Sequence, residues 1–285
     1  MMTPATTSSV QAREREFELL DADFNALREI IKIKAGIHLS AAKKELVYGR
    51  ISRRLRHLKL RTFAEYRRLL ESNEAELVEF CNAMTTNLTS FFRESHHFDY
   101  LREHILEPRL RDPGASRRIR IWSAACSSGE EPYSIAMVVR ETLQDLRKWD
   151  VRILATDIDT DILARASAGV YPEDRLKSLS RQRMQMHFSA TPGQPGHFSV
   201  APELASMITF KQLNLTRDLP MNGPLDAIFC RNVIIYFDKG TQQVLFAKIA
   251  VLQRSDDVLF LGHSESLFKV SDEYELLGKT IYRRV

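Results

Sequence analysis

Apolar side chains recur at intervals of three and four residues from about residue 17 to residue 82. Two series have this spacing: Phe24, Leu27, Ile30 and Ile31, followed by Val47, Ile51, Leu55 and Leu58. Such spacing is typical of amphipathic helices that bury one face. Ser40 and Thr62 stand where the series break and are predicted to cap the helices that follow. We therefore expect a small all-α domain over residues 15–84.

A different pattern follows the segment RDPGASRR, which ends an apolar helical run from Phe91 to Leu110. Apolar stretches typical of buried strands, such as RIRIWSAAC, VRILATD and LDAIFCRN, now alternate with helical stretches such as PYSIAMVVRETLQDL and KGTQQVLFAKIAVLQR. This alternation predicts a mainly parallel sheet covered by helices on both faces, closed by a final antiparallel pair of strands. We expect residues 85–115 to form a linker helix region and residues 116–285 a doubly wound, Rossmann-like α/β domain.

Residues 184–211 interrupt this alternation. The stretches MHFS, HFSV and SMITF are short, and the turn TPGQPG separates the first two. This pattern predicts an inserted antiparallel β-subdomain at about residues 184–211. At the start of the chain, residues 1–14 are rich in Thr, Ser and Ala without periodicity, which predicts a mobile tail.

Composition narrows the classes of function. The chain has 41 Lys and Arg against 37 Asp and Glu, and its formal net charge of +4 is too small to indicate nucleic acid by itself. Cys81, Cys126 and Cys230 are far apart and form no CxxC pair, which argues against a disulfide framework or a zinc site. The N-terminus lacks the apolar core of a signal peptide, and no run of about 18 apolar residues is present. We expect a soluble, cytoplasmic monomer without a metal ion.

The first strand-turn-helix junction, SAACSSGEEPY, is the predicted ligand site, because ligands of open α/β sheets bind at the carboxyl ends of the strands. It carries neither the G-x-G-x-x-G of dinucleotide sites nor a P-loop. Glu130 and Glu131 at the helix start would repel phosphate. A nucleoside that carries an amino acid fits better, with Glu131 receiving an ammonium group and Asp157 placed for ribose hydroxyls. Position alone leaves Glu131 equally well explained as a helix-start acid.

Basic side chains crowd the second predicted helix. Arg50, Arg53, Arg54, His57 and Arg61 are spaced to share the face opposite its apolar stripe. A solvated helix surface is the more common reason for such a run. Like charges three and four residues apart repel each other, however, so an unbroken basic face also indicates an acidic partner.

Five separated motifs point to a known family: TTNLTSFFRE, SAACSSGEEPYSIA, ATDIDTDIL, FCRNVIIYFD and GHSES. Together they resemble the CheR family of chemotaxis receptor methyltransferases, over nearly the whole chain from about Phe17. The resemblance implies S-adenosyl-L-methionine as cofactor and S-adenosyl-L-homocysteine as product. It also implies methylation of glutamate side chains on the cytoplasmic helices of chemoreceptors (methyl-accepting chemotaxis proteins), which forms glutamate methyl esters.

The resemblance further implies roles for individual residues. Arg93 and Tyr236 are implied to lie beside the transferable methyl group as the catalytic residues. The basic helix, with Arg50, Arg53, Arg54 and His57, is implied to bind the acidic receptor. The β-subdomain resembles one that binds a pentapeptide at the receptor C-terminus in some members. The implied cofactor contacts are Asn87, Thr89, Arg93, Glu131, Asp157, Asn214, Leu215, Arg231 and Asn232.

Two other functions remain as alternatives. A nucleic-acid methyltransferase would use the basic helix to bind phosphate, but the chain has Arg231-Asn232-Val233 where enzymes of the N6-adenine type carry an Asn/Asp-Pro-Pro-aromatic loop. A docking module that binds the cofactor without turnover would use only the basic face and the β-subdomain. We expect no nucleic-acid partner and no membrane insertion.

Overall fold

Helices form the N-terminal part of the chain in the computed structural model, which describes residues 15–285. The predicted mobile tail, residues 1–14, lies outside the described residues. The helices are α1 (Asp21–Ala35), α2 (Lys44–Leu58), α3 (Phe63–Ser72) and α4 (Glu74–Met84). Their apolar faces meet in one core that includes Phe24, Val47, Ile51 and Phe80.

The two predicted helix caps have different outcomes. Thr62 accepts a hydrogen bond from the Glu65 backbone N–H, and the Glu65 side chain bonds back to Thr62, so a capping box begins α3. Ser40 precedes a short 3-10 helix, Ala41–Lys43, and its side chain makes no capping bond. The Thr62 prediction is confirmed, whereas the capping bond expected of Ser40 is not formed.

A third helical stretch joins the two parts of the chain. It consists of α5 (His96–Tyr100), a π-helical segment (Leu101–Leu106) and α6 (Glu107–Arg111), which follow one another without a break. Its buried side chains pack into the core of the sheet domain: Phe98, Leu101, Ile105 and Leu106. The helical pattern is thus confirmed from His96 onward, while residues 91–95 form turns.

Strands and helices alternate through the rest of the chain. The strands are β1 (Arg118–Ala124), β2 (Asp150–Asp157), β3 (Val170–Pro172), β4 (Phe188–Ala190), β5 (His197–Val200), β6 (Ile208–Gln212), β7 (Ala227–Cys230), β8 (Val258–Phe260), β9 (Tyr274–Gly278) and β10 (Ile281–Arg284). The helices are α7 (Glu130–Leu143), α8 (Thr160–Ala168), α9 (Arg181–His187), α10 (Pro202–Ala205) and α11 (Lys239–Val251). Within residues 15–285, no helix is both long enough and apolar enough to cross a bilayer.

In the described part of the chain, seven strands form one sheet in the order β6-β2-β1-β7-β8-β10-β9. Neighbouring strands are parallel from β6 to β8, and β10 runs antiparallel to both β8 and β9. One core, which includes Tyr133 and Ile135 of α7, covers one face of the sheet; a second, which includes Phe246 and Ile249 of α11, covers the other. The predicted doubly wound α/β fold and its antiparallel closing pair are confirmed.

The small antiparallel sheet differs from its predicted limits. It has the order β3-β5-β4, so it begins at Val170, before the expected start at residue 184. The stretch SMITF does not belong to it: β6 pairs in parallel with β2 at the edge of the main sheet. The reason is that a short apolar strand has the same pattern in either sheet, and only its partner in space decides where it pairs.

Candidate active site

A cleft opens at the carboxyl ends of β1, β2 and β7, where parallel sheets bind ligands. Its volume is about 1250 Å³, including the part that is open to solvent. The sheet domain supplies the loops after these strands, and the N-terminal helical part contributes Ile37, His38 and Leu39 to the lining. Both parts of the chain therefore build the cleft.

The loop between β1 and α7 is tightly wound. Ala125, Ser127 and Gly129 all have left-handed backbones, with φ of 59°, 51° and 94°. A Cβ added to Gly129 would lie 2.8 Å from the Tyr171 hydroxyl oxygen, so glycine is required on two grounds. The winding directs the Ser127 backbone N–H to Asp157 Oδ2, 2.8 Å away. The loop is thereby fixed to the end of β2.

Glu131 faces the cleft from the first turn of α7. Its Oε1 accepts a hydrogen bond of 2.7 Å from Ser123 Oγ, and its Oε2 lies 3.0 Å from Arg231 Nη1. Burial raises the pKa of this carboxyl, while Arg231 and Ser123 act in the opposite direction. The carboxylate is part of a buried ion pair on the cleft lining, so a helix-start role alone does not account for it.

Asp157 ends β2 and is also directed at the cleft. It is buried, and besides the Ser127 bond its Oδ1 accepts a hydrogen bond of 3.0 Å from the Asp159 backbone N–H. Burial raises its pKa, and these two backbone donors oppose the shift. The side chain is thus held in one orientation beside the cleft.

The linker after α4 forms another wall of the cleft. Asn87 Nδ2 and Thr85 Oγ1 both donate to Asp159 Oδ2, at 2.8 and 2.6 Å, and Ser127 Oγ donates to the Asn87 carbonyl at 3.1 Å. Asp159 therefore fastens the linker to the start of α8, which its other oxygen caps. The bond of Asp159 to the linker is a contact that the sequence did not reveal.

Further along this linker, Thr89 and Arg93 also line the cleft. The Thr89 carbonyl accepts a hydrogen bond of 3.3 Å from Arg175 Nη2, and the same guanidinium pairs with the buried Glu130. Arg93 Nη1 donates to the Leu88 carbonyl at 3.0 Å. The Arg93 guanidinium keeps further N–H donors beyond this single bond.

The loop after β7 carries Arg231, Asn232 and Tyr236. The Arg231 side chain is 2% exposed and lies between the carboxylates of Glu131 and Glu94. Asn232 has a left-handed backbone, with φ of 58°. Tyr236 is half-buried, lines the cleft, and accepts a hydrogen bond of 2.7 Å on its backbone carbonyl from the His38 N–H. This bond joins the loop to the N-terminal helices.

Glu265, in the GHSES motif, shapes this loop from behind. Its Oε2 accepts hydrogen bonds from the backbone N–H groups of Asn232 and Gly262, at 2.8 and 2.6 Å, and its Oε1 accepts one from Ile234 at 2.9 Å. The motif contributed to the family resemblance, but nothing in its spacing indicated that a buried carboxylate there organises a distant loop.

Asn214 and Leu215 follow β6 on another wall of the cleft. Asn214 Nδ2 donates to the Lys34 carbonyl at 2.6 Å, and its Oδ1 accepts from the Thr216 backbone N–H at 3.0 Å. Leu215 is buried. The cleft thus brings together every residue implied as a cofactor contact or catalytic group: Asn87, Thr89, Arg93, Glu131, Asp157, Asn214, Leu215, Arg231, Asn232 and Tyr236.

The predicted basic face of α2 is not unbroken. Arg54 pairs with Glu76 and Glu79 of α4, at 2.5 and 3.0 Å. Arg50 donates to the carbonyls of Ala83 and Thr85 and to the Thr86 hydroxyl. The basic face is therefore interrupted at Arg50 and Arg54, because neighbouring segments supply acceptors that helical spacing does not show. Of the four residues implied to bind the receptor, Arg53 and His57 are the exposed ones.

Cys126 and Cys230 lie near the cleft, where their thiols are buried. Burial raises the pKa of both thiols well above the usual value. A thiol that stays protonated is a poor nucleophile. Both side chains belong to the hydrophobic cores on either face of the sheet, so they contribute to packing.

Comparison with known families identifies the two parts of the chain. The model described as "CheR methyltransferase, all-alpha domain" matches residues 22–85, and the model described as "CheR methyltransferase, SAM binding domain" matches residues 87–283. The chain belongs to the CheR methyltransferase family. The resemblance inferred from the five motifs is thereby confirmed.

CheR relatives match over nearly their whole length. The chemotaxis protein methyltransferase of Escherichia coli (strain K12) is 43% identical over 282 residues, which cover 97% of this chain and 95% of the relative. The chemotaxis protein methyltransferase 2 of Pseudomonas aeruginosa is 43% identical over 281 residues, which cover 98% of this chain and 99% of the relative. The protein is thus an S-adenosyl-L-methionine-dependent methyltransferase of the CheR family, as predicted.

Proposed function

We propose that the protein methylates glutamate side chains on the cytoplasmic helices of chemoreceptors, giving glutamate methyl esters and S-adenosyl-L-homocysteine. The observation that carries the proposal is the set of charged groups around the cleft. Glu131 and Asp157 are already bound, by Arg231 and Ser123 and by backbone N–H groups. Neither is a free base. A glutamate substrate, with an ordinary pKa of about 4.3, is ionised at neutral pH and needs none.

The residues of the cleft fit S-adenosyl-L-methionine. When bound, the cofactor supplies an electrophilic methyl group on a sulfonium. Glu131 would receive the ammonium of its methionine part and Asp157 the ribose hydroxyls, since both side chains line the cleft. The small side chains of the β1–α7 loop leave room for the part of the cofactor that joins the ammonium-bearing carbon to the ribose. We assign the remaining implied contacts to the other walls: Asn87, Thr89, Arg93, Asn214, Leu215, Arg231 and Asn232.

Arg93 and Tyr236 are the proposed catalytic residues, acting by orientation. Arg93 lines the cleft from the linker, and Tyr236 lines it from the loop after β7. Arg93 would orient the incoming carboxylate while also touching the cofactor, since a guanidinium offers five N–H donors and one is used by Leu88. The Tyr236 hydroxyl would steer the carboxylate. Alignment and exclusion of water supply the catalysis, without proton abstraction.

Receptor docking is proposed for the basic surface of α2. Arg53 and His57 are exposed and would contact an acidic helix of the receptor, while Arg50 and Arg54 add positive charge from their bonded positions. The antiparallel subdomain would bind a receptor C-terminal pentapeptide by strand addition along β4, whose Ser189 and Ala190 are exposed at the edge. Such tethering would raise the local concentration of methylation sites. We propose a cytoplasmic monomer.

A methyl-transfer assay tests the function. Receptor cytoplasmic fragments and cofactor labelled on the methyl group are incubated with the protein, and the label is then treated with mild base. Base-labile label on glutamate is expected. Base-stable label, or label on added RNA or DNA, would contradict the proposal, and bound cofactor without transfer to several receptors would favour a docking module.

Arg93→Ala should impair both cofactor affinity and turnover. Titration with receptor C-terminal pentapeptides tests the tether, which fails if none binds.

A further inference from the structure

Arg231 is held by two carboxylates, and only one of them lines the cleft. Its Nη1 lies 3.0 Å from Glu131 Oε2, and its Nη2 lies 3.2 Å from Glu94 Oε2. Glu131 is on the cleft lining, whereas Glu94 is not. Glu94 therefore supports the guanidinium from behind.

Other contacts make Glu94 a fixed anion. Its side chain is 11% exposed, and its Oε1 lies 2.9 Å from His263 Nδ1. Burial opposes its ionisation, but the His263 hydrogen bond and Arg231 outweigh burial and lower the pKa of Glu94 to about 2. His97 Nδ1 lies 3.6 Å from Glu94 Oε2; burial, together with the nearby Arg231, lowers the pKa of His97 to about 3. The group thus consists of the Arg231 guanidinium, the carboxylates of Glu131 and Glu94, and the imidazoles of His97 and His263.

The backbone at Glu94 links this group to a proposed catalytic residue. Glu94 has a left-handed backbone, with φ of 58°, and it directly follows Arg93. The Arg93 carbonyl accepts a hydrogen bond from Arg231 Nη2. Arg231 is thus bonded to the chain segment that carries both Arg93 and Glu94.

Arg231 and its two partner carboxylates, Glu131 and Glu94, together carry one more negative than positive charge. Arg231 alone would neutralise Glu131, and the cleft would then offer little attraction to a cation. With Glu94 present, two buried carboxylates share one guanidinium. Because charges interact strongly at buried sites, the remaining negative charge favours a cation placed beside Glu131.

We propose that Glu94 is a positioning residue for the cofactor: by balancing Arg231 from behind, it leaves the Glu131 carboxylate with a negative charge that attracts the cofactor's ammonium group. This inference rests on the proposed function, in which Glu131 contacts the methionine part. It assigns to Glu94 a role that neither its motif nor its position in the chain indicated.

Equilibrium binding of two ligands tests the proposal. S-adenosyl-L-homocysteine carries the ammonium group, whereas 5′-methylthioadenosine lacks the amino-acid part, and calorimetry measures both without turnover. Glu94→Gln keeps the shape of the side chain and removes its charge. It should weaken S-adenosyl-L-homocysteine binding about tenfold and change 5′-methylthioadenosine binding by less than about twofold. Glu103→Gln, at an exposed glutamate of the linker helix, is the matched control and should change neither.

Four further outcomes separate the possibilities. Equal losses for both ligands would show a distorted cleft, and unchanged S-adenosyl-L-homocysteine binding in Glu94→Gln would remove the role of Glu94; either overturns the inference. Glu94→Asp, which keeps the charge, should retain affinity within about threefold, and a loss as large as that of Glu94→Gln would also overturn it. Glu131→Gln checks the foundation: if it leaves S-adenosyl-L-homocysteine binding unchanged, the proposed ammonium contact itself fails.

Discussion

The carboxylate of Glu265 accepts a hydrogen bond of 2.8 Å from the backbone N–H of Asn232, thirty-three residues earlier in the chain. The same carboxylate accepts from Ile234 and Gly262, so it fixes the loop that carries Arg231 and Tyr236. Because a carboxylate offers only acceptors, it is matched to a cluster of N–H donors in a way that a carboxamide is not.

Glu265→Gln should therefore reduce methyl transfer more than it reduces stability. The amide NH₂ would face backbone N–H groups, and an unsatisfied buried donor costs about 1–3 kcal/mol. We expect a turnover number at least about tenfold lower, since the loop carrying Tyr236 loses its fixed position. Steady-state kinetics and thermal unfolding measure the two effects. Glu275→Gln, at an exposed carboxylate paired with Arg283, is the control and should change neither. Full activity in Glu265→Gln would refute the positioning role.

Gly129 is expected to tolerate no side chain. Its φ is 94°, and an added Cβ would lie 2.8 Å from the Tyr171 hydroxyl oxygen and 3.0 Å from Ala166 Cβ. Gly129→Ala should lower the unfolding free energy by about 2–4 kcal/mol and weaken cofactor binding, since the loop must shift. Gly193→Ala is the matched control, because Gly193 also has a left-handed φ, of 73°, but has open space around it. It should cost only about 1 kcal/mol. Equal costs at the two positions would show that backbone conformation alone matters.

Site residues could be predicted from the sequence where they stand at the carboxyl ends of the parallel strands. Asp157 ends β2, and parallel strands bring their carboxyl ends to one edge of the sheet, so its place beside the cleft could be predicted from position. Arg231 follows β7 at the same edge, but its role was implied only by the family resemblance. The residues of the linker, such as Asn87 and Thr89, were predicted only from the family resemblance, because no periodicity in the sequence places a connecting segment beside a sheet edge. The roles of Glu94 and Glu265 could not be predicted from the sequence, because the role of an isolated carboxylate depends on partners that are distant in the sequence.

The fold was predictable to a similar extent. Alternating strands and helices gave the doubly wound domain, but β6 was assigned to the wrong sheet because its pattern suits either. Arg54 shows that helical spacing also fails to predict which charged side chains form ion pairs. Its partner Glu76 lies on another helix, so helical spacing grouped Arg54 with exposed residues.

Acid should weaken the contact between α7 and α9. Glu141 pairs with Arg183 at 2.9 Å and with His187 at 3.1 Å, and its pKa is about 2 because these two partners outweigh the opposing effect of burial. A lowered folded-state pKa means that the carboxylate's stabilisation is present above its unfolded pKa of about 4.3 and is lost as pH falls toward 2. Glu141→Gln should thus be less stable than the parent by about 2–3 kcal/mol at pH 7, and this difference should start to shrink below about pH 4 and be lost near pH 2. Denaturant unfolding of both proteins across pH checks this; a gap that stays constant would contradict it.

Substitutions of two adjacent arginines of α2 should have different effects: Arg54→Ala should affect stability, and Arg53→Ala should affect receptor recognition. Arg54 bonds Glu76, which is 5% exposed and also accepts a hydrogen bond from the Tyr66 hydroxyl at 2.8 Å. Arg54→Ala would leave that buried carboxylate without its cation and should lower the unfolding free energy by about 3 kcal/mol. Arg53 is exposed and forms no ion pair with any residue from 15 to 285.

Arg53→Ala should therefore leave the unfolding free energy within about 0.5 kcal/mol of the parent. Its effect should fall on the KM for receptor fragments, with cofactor affinity unchanged, and the difference should shrink as salt is raised because an exposed charge is screened. Denaturant unfolding and steady-state kinetics on both variants provide the measurements. An unchanged KM for receptor at low salt would show that the exposed part of α2 does not dock the acidic partner. A loss of stability in Arg53→Ala would show that Arg53 has a structural role.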